Sequence, residues 1–224
     1  VTSNFSDAYN AVKKEVEKIK SAFGGFASPI LFFSDSKNFR KKIYPDYKGH
    51  RNRKKPCGYK RVIRNLRIEY DVIVMPELEA DDAMGIYATQ HPGNVVVSPD
   101  KDMKQIAGKL YDLETSKDIT AEEGARWHLI QTLAGDQTDG YSGVPGIGVK
   151  RAETLFNKEG YSWSTVVKAF EDKGLTETDA LTNARLARIL TIDDYDTKRQ
   201  EPKLWTPEST YEVNSGTGLQ DESD

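Results

Sequence analysis

Eight carboxylates stand at four related places in this chain. Asp35 follows the apolar run Pro29–Ser34. Glu79, Asp81 and Asp82 precede a helical pattern, Asp100 and Asp102 flank Lys101, and Asp136 and Asp139 lie three apart. Any one cluster has a plain explanation, because Asp and Glu favour helix N-termini. The joint pattern is harder to explain that way. Two unit charges 4 Å apart repel by about 4 kcal/mol at an effective dielectric of 20, so one pocket holding all eight requires bound cations. Oxygen ligands without His or Cys select hard ions, and two Mg2+ (or Mn2+) are the natural fit. Two such ions about 3.5–4 Å apart activate water and stabilise the leaving oxygen of an in-line phosphodiester displacement.

A basic strip complements the acids. Between Lys37 and Arg67 there are thirteen bases and one acid, Asp46, a local +12 in a chain of net charge −3. Segregation on this scale suits a polyanion, against the blander alternative of a solubilising basic helix. Aromatics interleave with the bases in Phe39-Arg40-Lys-Lys-Ile-Tyr44-Pro-Asp-Tyr47-Lys48-Gly-His-Arg51. Arg40 and its neighbours can neutralise phosphates, and Tyr44 and Tyr47 can stack on unpaired bases or simply pack around Pro45. A third signal is Gly143-Val-Pro-Gly146-Ile-Gly148-Val-Lys150-Arg151. It is neither a Walker loop nor a dinucleotide fingerprint. As a tight turn opening a helix it offers backbone N–H groups to one phosphate, with Lys150 and Arg151 adding charge, or it is merely a helix–helix turn.

These residues need elements to position them. Phe5, Tyr9, Val12, Val16, Ile19 and Phe23 mark an amphipathic helix stopped by Gly24-Gly25. Short apolar runs at Pro29–Ser34, Val72–Met75 and Asn94–Ser98 read as buried parallel strands, with a fourth strand at Lys109–Leu113. Helical patterns cover 59–66, 80–90, 101–107, 121–133, 149–157, 162–172 and 176–190. The alternation predicts an α/β fold with a central, mainly parallel sheet, and no strands after residue 120. Ligand sites in such sheets gather beyond the carboxyl ends of the strands, where the first three acidic clusters fall.

Composition narrows the class. At 224 residues one domain with a small appended lobe is expected, and 37% hydrophobic content suits a globular chain. No apolar run approaches a membrane span, so a membrane role is not expected. One cysteine, Cys57, and three scattered histidines (His50, His91, His128) argue against disulfides and zinc, and fit a soluble protein of a reducing compartment. From Thr206 onward five acids and no bases mark a tail.

The order and spacing of Phe-Ser-Asp35, Phe39-Arg40, Tyr-Pro-Asp-Tyr-Lys48-Gly-His-Arg51, Glu79-Ala-Asp81-Asp82, Ser98-Pro-Asp100-Lys-Asp102 and Gly135-Asp136-Gln-Thr-Asp139…Gly148 resemble the 5′ nucleases of tailed bacteriophages, within the flap endonuclease family. The resemblance runs from about residue 32 to 192. It implies a PIN-like 5′-nuclease core over 1–120, with a basic arch at about 37–67. It implies a helical DNA-binding lobe over 121–205 with a helix–three-turn–helix element, ahead of the tail at 206–224. It places Asp35, Asp81, Asp82 and Asp100 in a first metal site, with Glu79 assisting, and Asp102, Asp136 and Asp139 in a second. Lys48 and Arg51 match the catalytic lysine and arginine of the arch. Gly143, Gly146 and Gly148 match the duplex-gripping turn, where backbone carbonyls such as those of Val144 and Ile147 hold K+. The implied partner is DNA with a 5′ single-stranded end or flap, extending to RNA–DNA hybrids, in the cytoplasm of an infected bacterial host.

One departure stands out. The family opens with a strand bearing a metal-binding aspartate, whereas this sequence enters on the polar lead-in to its first helix, and Asp7 is no substitute. The expectation is that the strand belongs to a longer chain or comes from a separate polypeptide. The alternative function is accordingly a structure-specific DNA-binding module without catalysis. A small sheet-based ribonuclease is disfavoured by the helices that follow the sheet.

Overall fold

The computed structural model describes residues 5–25, 28–51 and 58–207. The first helix, α1 (Phe5–Ala22), ends as its sequence dictates: Gly24 and Gly25 take φ of 78° and 77°, and the Gly25 N–H returns to the Lys20 carbonyl at 2.9 Å. The chain then forms β1 (Ile30–Phe32), a one-turn helix α2 (Arg40–Ile43), and the basic helix α3 (Tyr59–Glu69). Strand β2 (Asp71–Ile73) pairs parallel with β1, Leu31 opposite Val72. Helix α4 (Ala80–Gln90) leads to β3 (Val95–Val97), which pairs parallel with β4 (Gly108–Tyr111), Val96 opposite Leu110. The helix expected over 101–107 is a 3-10 turn, Lys101–Gln105.

Two features depart from the expected sheet. A further strand, β5 (Ser116–Ile119), pairs antiparallel with β4. Its sequence, Ser-Lys-Asp-Ile, has no apolar period. The preceding turn sets its register, with Asp112 Oδ1 accepting from the N–H groups of Glu114 and Thr115 at 3.1 and 2.8 Å. Moreover, β1–β2 and β3–β4–β5 form separate ladders among the described residues.

Helices α5 (Ala121–Ala134), α6 (Val149–Glu159), α7 (Trp163–Glu171) and α8 (Glu177–Ala187) enclose a core of Leu129, Leu133, Val144, Phe156, Val166 and Phe170. Hydroxyl caps start three of them: Thr120, Ser162 and Thr176 accept from the N–H groups of Glu123, Thr165 and Asp179. Short antiparallel pairs, β6–β7 (Gly135–Asp136, Tyr141–Ser142) and β8–β9 (Tyr195–Asp196, Glu201–Pro202), follow residue 120 despite the expectation of none. The segment after α8 returns to the sheet side, where Leu190 packs with Phe39, Leu78 and Ile86, and Ile189 with Met103 and Leu110. Gly85 makes that return possible, because a Cβ there would lie 2.3 Å from the Leu190 carbonyl oxygen. Residues 208–224 of the expected tail (206–224) and the arch residues 52–57 lie outside the described residues.

The central polar contact is a buried ion pair. Arg40, 1% exposed, donates to Asp82, 0% exposed, through two parallel bonds of 2.7 and 2.8 Å. Its remaining donors reach the carbonyls of Leu186 (2.9 Å) and Arg188, and Asp82 Oδ1 also accepts from the Leu190 N–H at 3.3 Å. Breaking one side strands a buried charge, so Arg40→Met or Asp82→Leu should each cost about 3–5 kcal/mol in urea unfolding, and the double variant clearly less than their sum. Fully additive losses would show that the two are not coupled.

Candidate active site

The N-terminus of α4 carries Glu79, Asp81 and Asp82 because β2 delivers the chain there and the Glu79 N–H is held by Asp82 Oδ2 at 3.3 Å. Asp100 caps the 3-10 turn after β3, accepting from the Asp102 N–H at 2.9 Å. The β6–β7 pair supplies Asp136 and, in its tip, Asp139. That pair is drawn tight by Gly135 and Gly143, since a Cβ on Gly135 would meet the Gly143 nitrogen at 2.1 Å and one on Gly143 the Leu133 carbonyl oxygen at 2.1 Å.

Bases close part of this group. Lys48 Nζ donates to Glu79 and lies 3.5 Å from Asp139. Its backbone takes φ 54°, unusual for a side-chain-bearing residue, and its N–H bonds the Asp139 carbonyl at 2.7 Å. Arg51 bonds Asp139 Oδ1 at 2.6 Å and the Thr138 carbonyl at 2.9 Å. Lys48, Arg51, Glu79 and Asp139 are therefore brought together.

The remaining carboxylates are less well served. Burial, with Asp100, Asp82 and Glu79 nearby, pushes the Asp81 carboxyl up to about 7. Burial and Asp100 likewise raise Asp102 to about 6. Burial also opposes ionisation of Glu79 and Asp136, but Arg40 and Lys48 outweigh it for Glu79, and the Thr138 hydroxyl and N–H (2.6 and 2.7 Å) for Asp136, so both lie below the usual range. Asp35 stands apart: its oxygens accept from the N–H groups of Glu77 (2.9 Å) and Ser36 (2.6 Å), which hold its carboxyl low.

Three expectations are corrected. Asp82 is not placed to ligate a metal, since both its oxygens serve Arg40 and it is fully buried. Arg40 is buried in that pair and cannot meet a phosphate. Tyr47, 2% exposed, cannot stack on a base. Its ring lies 6.4 Å from that of Tyr141, and its hydroxyl reaches Glu79 Oε2 at 2.9 Å and Asp139 Oδ2 at 2.8 Å. The sequence leaves packing and stacking of Tyr47 evenly open, because burial and exposure look alike there. Tyr44 is half-buried. At the glycine turn Lys150 and Arg151 are exposed, Arg151 bonding the Gly146 carbonyl at 2.6 Å, and Val144 accepting from the Ile147 N–H at 2.9 Å.

Sequence reasoning missed a buried relay behind Asp102. Gln131 Nε2 donates to Asp102 Oδ1, and Gln105 Nε2 donates to Gln131 at 2.6 Å and to the Ala187 carbonyl at 2.7 Å. The only signal was a polar residue on the apolar face of each helix. The donor chemistry fits hard cations at Asp81, Asp100, Asp102 and Asp136, and negative charge is under-compensated at Asp81 and Asp102, whose carboxyls are raised. Among the described residues, however, no three acids, histidines or cysteines already surround a common point.

The raised carboxyls have a thermodynamic consequence. Asp81 and Asp102 bind protons in the folded chain at pH values where the unfolded chain has released them. Their contribution to stability is present below pH about 4 and is lost as pH rises towards 7. In chelator, the Tm should fall between pH 5 and 7.5, and Asp81→Asn should flatten that fall. A profile unchanged by the substitution would contradict the assignment.

This geometry can be set beside known proteins. The family model described as the 5′-3′ exonuclease N-terminal resolvase-like domain matches residues 7–127. The exodeoxyribonuclease of Enterobacteria phage T3 is 34% identical over 245 residues, covering 88% of this chain and 78% of the relative. The exonuclease of Escherichia phage T7 is 33% identical over 236 residues, covering 87% and 78%. Among solved structures, the flap endonuclease of bacteriophage T5 in complex with DNA and metal ions superposes with a TM-score of 0.63 at 15% identity over 80% of each chain. The same fold, the match over more than half the chain and the phage relatives lead to one conclusion: this chain belongs to the 5′–3′ exonuclease family.

Proposed function

We propose that this chain is a divalent-metal-dependent 5′ nuclease that hydrolyses phosphodiester bonds near the 5′ end of DNA, at flaps, nicks or gaps, in phage DNA replication. Membership of the family makes it a hydrolase of the 5′–3′ exonuclease and flap endonuclease type. The finer reading rests on one observation: Asp81 and Asp102, raised by burial and the nearby Asp100, belong to the same cluster of carboxylates as Asp136, Glu79 with its Lys48 and Asp139 with its Arg51.

Asp81, Asp100, Asp102 and Asp136 would hold Mg2+ or Mn2+, which when bound would lower the pKa of water and offset phosphate charge. The protein's own part is positional. Gln131 fixes Asp102, and Thr138 fixes Asp136. Lys48 and Arg51 present positive charge at the rim of the same group, where a phosphodiester would approach. Lys150, Arg151 and the N-terminus of α6 would grip the duplex backbone, with K+ at the carbonyls of Val144 and Ile147. Unpaired DNA and RNA–DNA hybrid ends fit the same polyanion chemistry. A two-unit core (1–120) and DNA-binding lobe (121–205) with a helix–three-turn–helix element belong to this reading.

A second reading, DNA binding without cleavage, is favoured by the lack of three converging ligands among the described residues. Flap binding in Ca2+ against cleavage in Mg2+ separates the two, with binding and no cleavage supporting the second. If the nuclease reading holds, Asp100→Asn or Asp136→Asn should reduce turnover by at least about 100-fold while flap affinity in Ca2+ changes little. Unchanged turnover would refute it. Lys150→Ala with Arg151→Ala should weaken duplex affinity and lower the salt slope by about 2. An unaltered slope would remove the glycine turn from the interface.

A further inference from the structure

Two buried glutamines stand behind Asp102, and the fold allows them one orientation. Gln105, the last residue of the 3-10 turn, is 4% exposed, and Gln131 of α5 is 5% exposed. They meet because α5 lies hard against the turn: a Cβ on Gly124 would sit 2.3 Å from the Gln105 carbonyl oxygen. The backbone at the end of α8 fixes the first amide. The Ile189 N–H, which can only donate, bonds Gln105 Oε1 at 3.0 Å. The Ala187 carbonyl, which can only accept, takes a Gln105 N–H at 2.7 Å. Turned over, Gln105 would offer each of them the wrong group. Its second N–H therefore goes to Gln131 Oε1 at 2.6 Å, which leaves the Gln131 NH2 group to face Asp102 Oδ1. Two backbone groups thus dictate the sense of the whole relay.

The relay ends on one oxygen. Asp136 is held in the same way: the Thr138 N–H and hydroxyl both bond its Oδ1, while its Oδ2 faces Lys101 Nζ at 3.6 Å. A hydrogen-bond donor aimed at Oδ1 carries positive charge and disfavours a cation on that oxygen, so each of these carboxylates offers its Oδ2. We propose that Gln131, oriented by Gln105, is a selectivity-determining positioning residue: it restricts Asp102 to ligation through a single oxygen and so favours Mg2+ or Mn2+ over Ca2+. The ions differ in what they demand. Mg2+ takes a strict octahedron at about 2.0–2.1 Å, which one oxygen per carboxylate suits. Ca2+ takes roughly six to eight looser ligands at about 2.3–2.6 Å, often both oxygens of one carboxylate. An untethered Asp102 can turn both oxygens to a Ca2+ ion, and a tethered one cannot. The inference rests on the metal reading of this site proposed above, and deepens it by naming what chooses the ion.

Binding of Mn2+ and Ca2+ to the full chain tests it, with free Mn2+ counted from its paramagnetic resonance signal and Ca2+ measured by competition. Gln131→Met keeps the bulk of the side chain, removes the donor and leaves Ala187 and Ile189 bonded to Gln105. It should lower the ratio of Mn2+ to Ca2+ affinity about tenfold. Gln105→Met, which removes a residue that does not touch Asp102, should shift the ratio the same way, and the double variant should go no further than Gln131→Met alone. Thermal unfolding in chelator identifies any variant that has lost its fold; if Gln105→Met unfolds, because it strands two backbone groups, Gln131→Met decides the question. A merely structural role would weaken both ions equally, and a ratio left unchanged in Gln131→Met would overturn the proposal. Additive shifts in the double variant would break the link between the two glutamines. A parent chain that binds no Mn2+ would instead overturn the metal reading, and this inference with it.

Discussion

The bidentate pair of Arg40 with Asp82 is the constraint on which the other elements depend. A guanidinium and a carboxylate that are both fully buried are tolerable only when every donor and acceptor is matched, and here the matches come from four separate places. Helix α2 supplies Arg40, α4 supplies Asp82, the end of α8 supplies the Leu186 carbonyl, and the returning segment supplies Arg188 and Leu190. The helical cluster is thereby bolted to the sheet side through one charge pair. Since Asp82 sits beside Asp81 and Glu79, the same bolt fixes where the acids at the start of α4 can point.

The pair also explains how acids and bases are distributed beyond it. Arg40 lies 5.8 Å from the ring of Tyr47, whose hydroxyl joins Glu79 to Asp139, and Lys48 and Arg51 complete the set on the next turn. A continuous chain of charge and hydrogen bonding thus runs from the interior to the rim. Its inner carboxylates have dedicated cations. Those on the far side, Asp81 and Asp102, have none among the described residues and carry raised carboxyls instead. The basic block of the sequence is therefore not one uniform surface: part neutralises the interior, part faces the crevice, and Arg61 lies over the Phe5 ring at 4.2 Å.

Much of this was legible in the sequence. Helices α1, α3, α4 and α5 through α8 follow from 3.6-residue periodicity and caps, and the acids cluster beyond strand ends as parallel topology requires. What was not legible depends on contacts distant in sequence. Arg40 and Asp82 are 42 residues apart, and no local pattern distinguishes a buried arginine from one facing solvent. Strand β5 owes its pairing to an Asp112 turn and not to apolar alternation. Gln105 and Gln131 look like surface residues until their helices are packed. Composition alone reports that β1 and β3 should be buried but not by what.

Two departures from self-consistency remain in the chain, and they lie at opposite ends of the same strands. Along their edges, β1 and β3 leave an apolar cleft open; beyond their carboxyl ends, acids crowd without enough counter-charge. Natural sequences concentrate such violations at functional sites, where stability is given up for chemistry. The two are mechanically linked. The spacing between β1 and β3 sets the spacing between Asp35, which follows one, and Asp100, which follows the other. With two separate ladders that distance is held only by the flanking helices, and Asp35 turns instead to the N–H groups of Ser36 and Glu77.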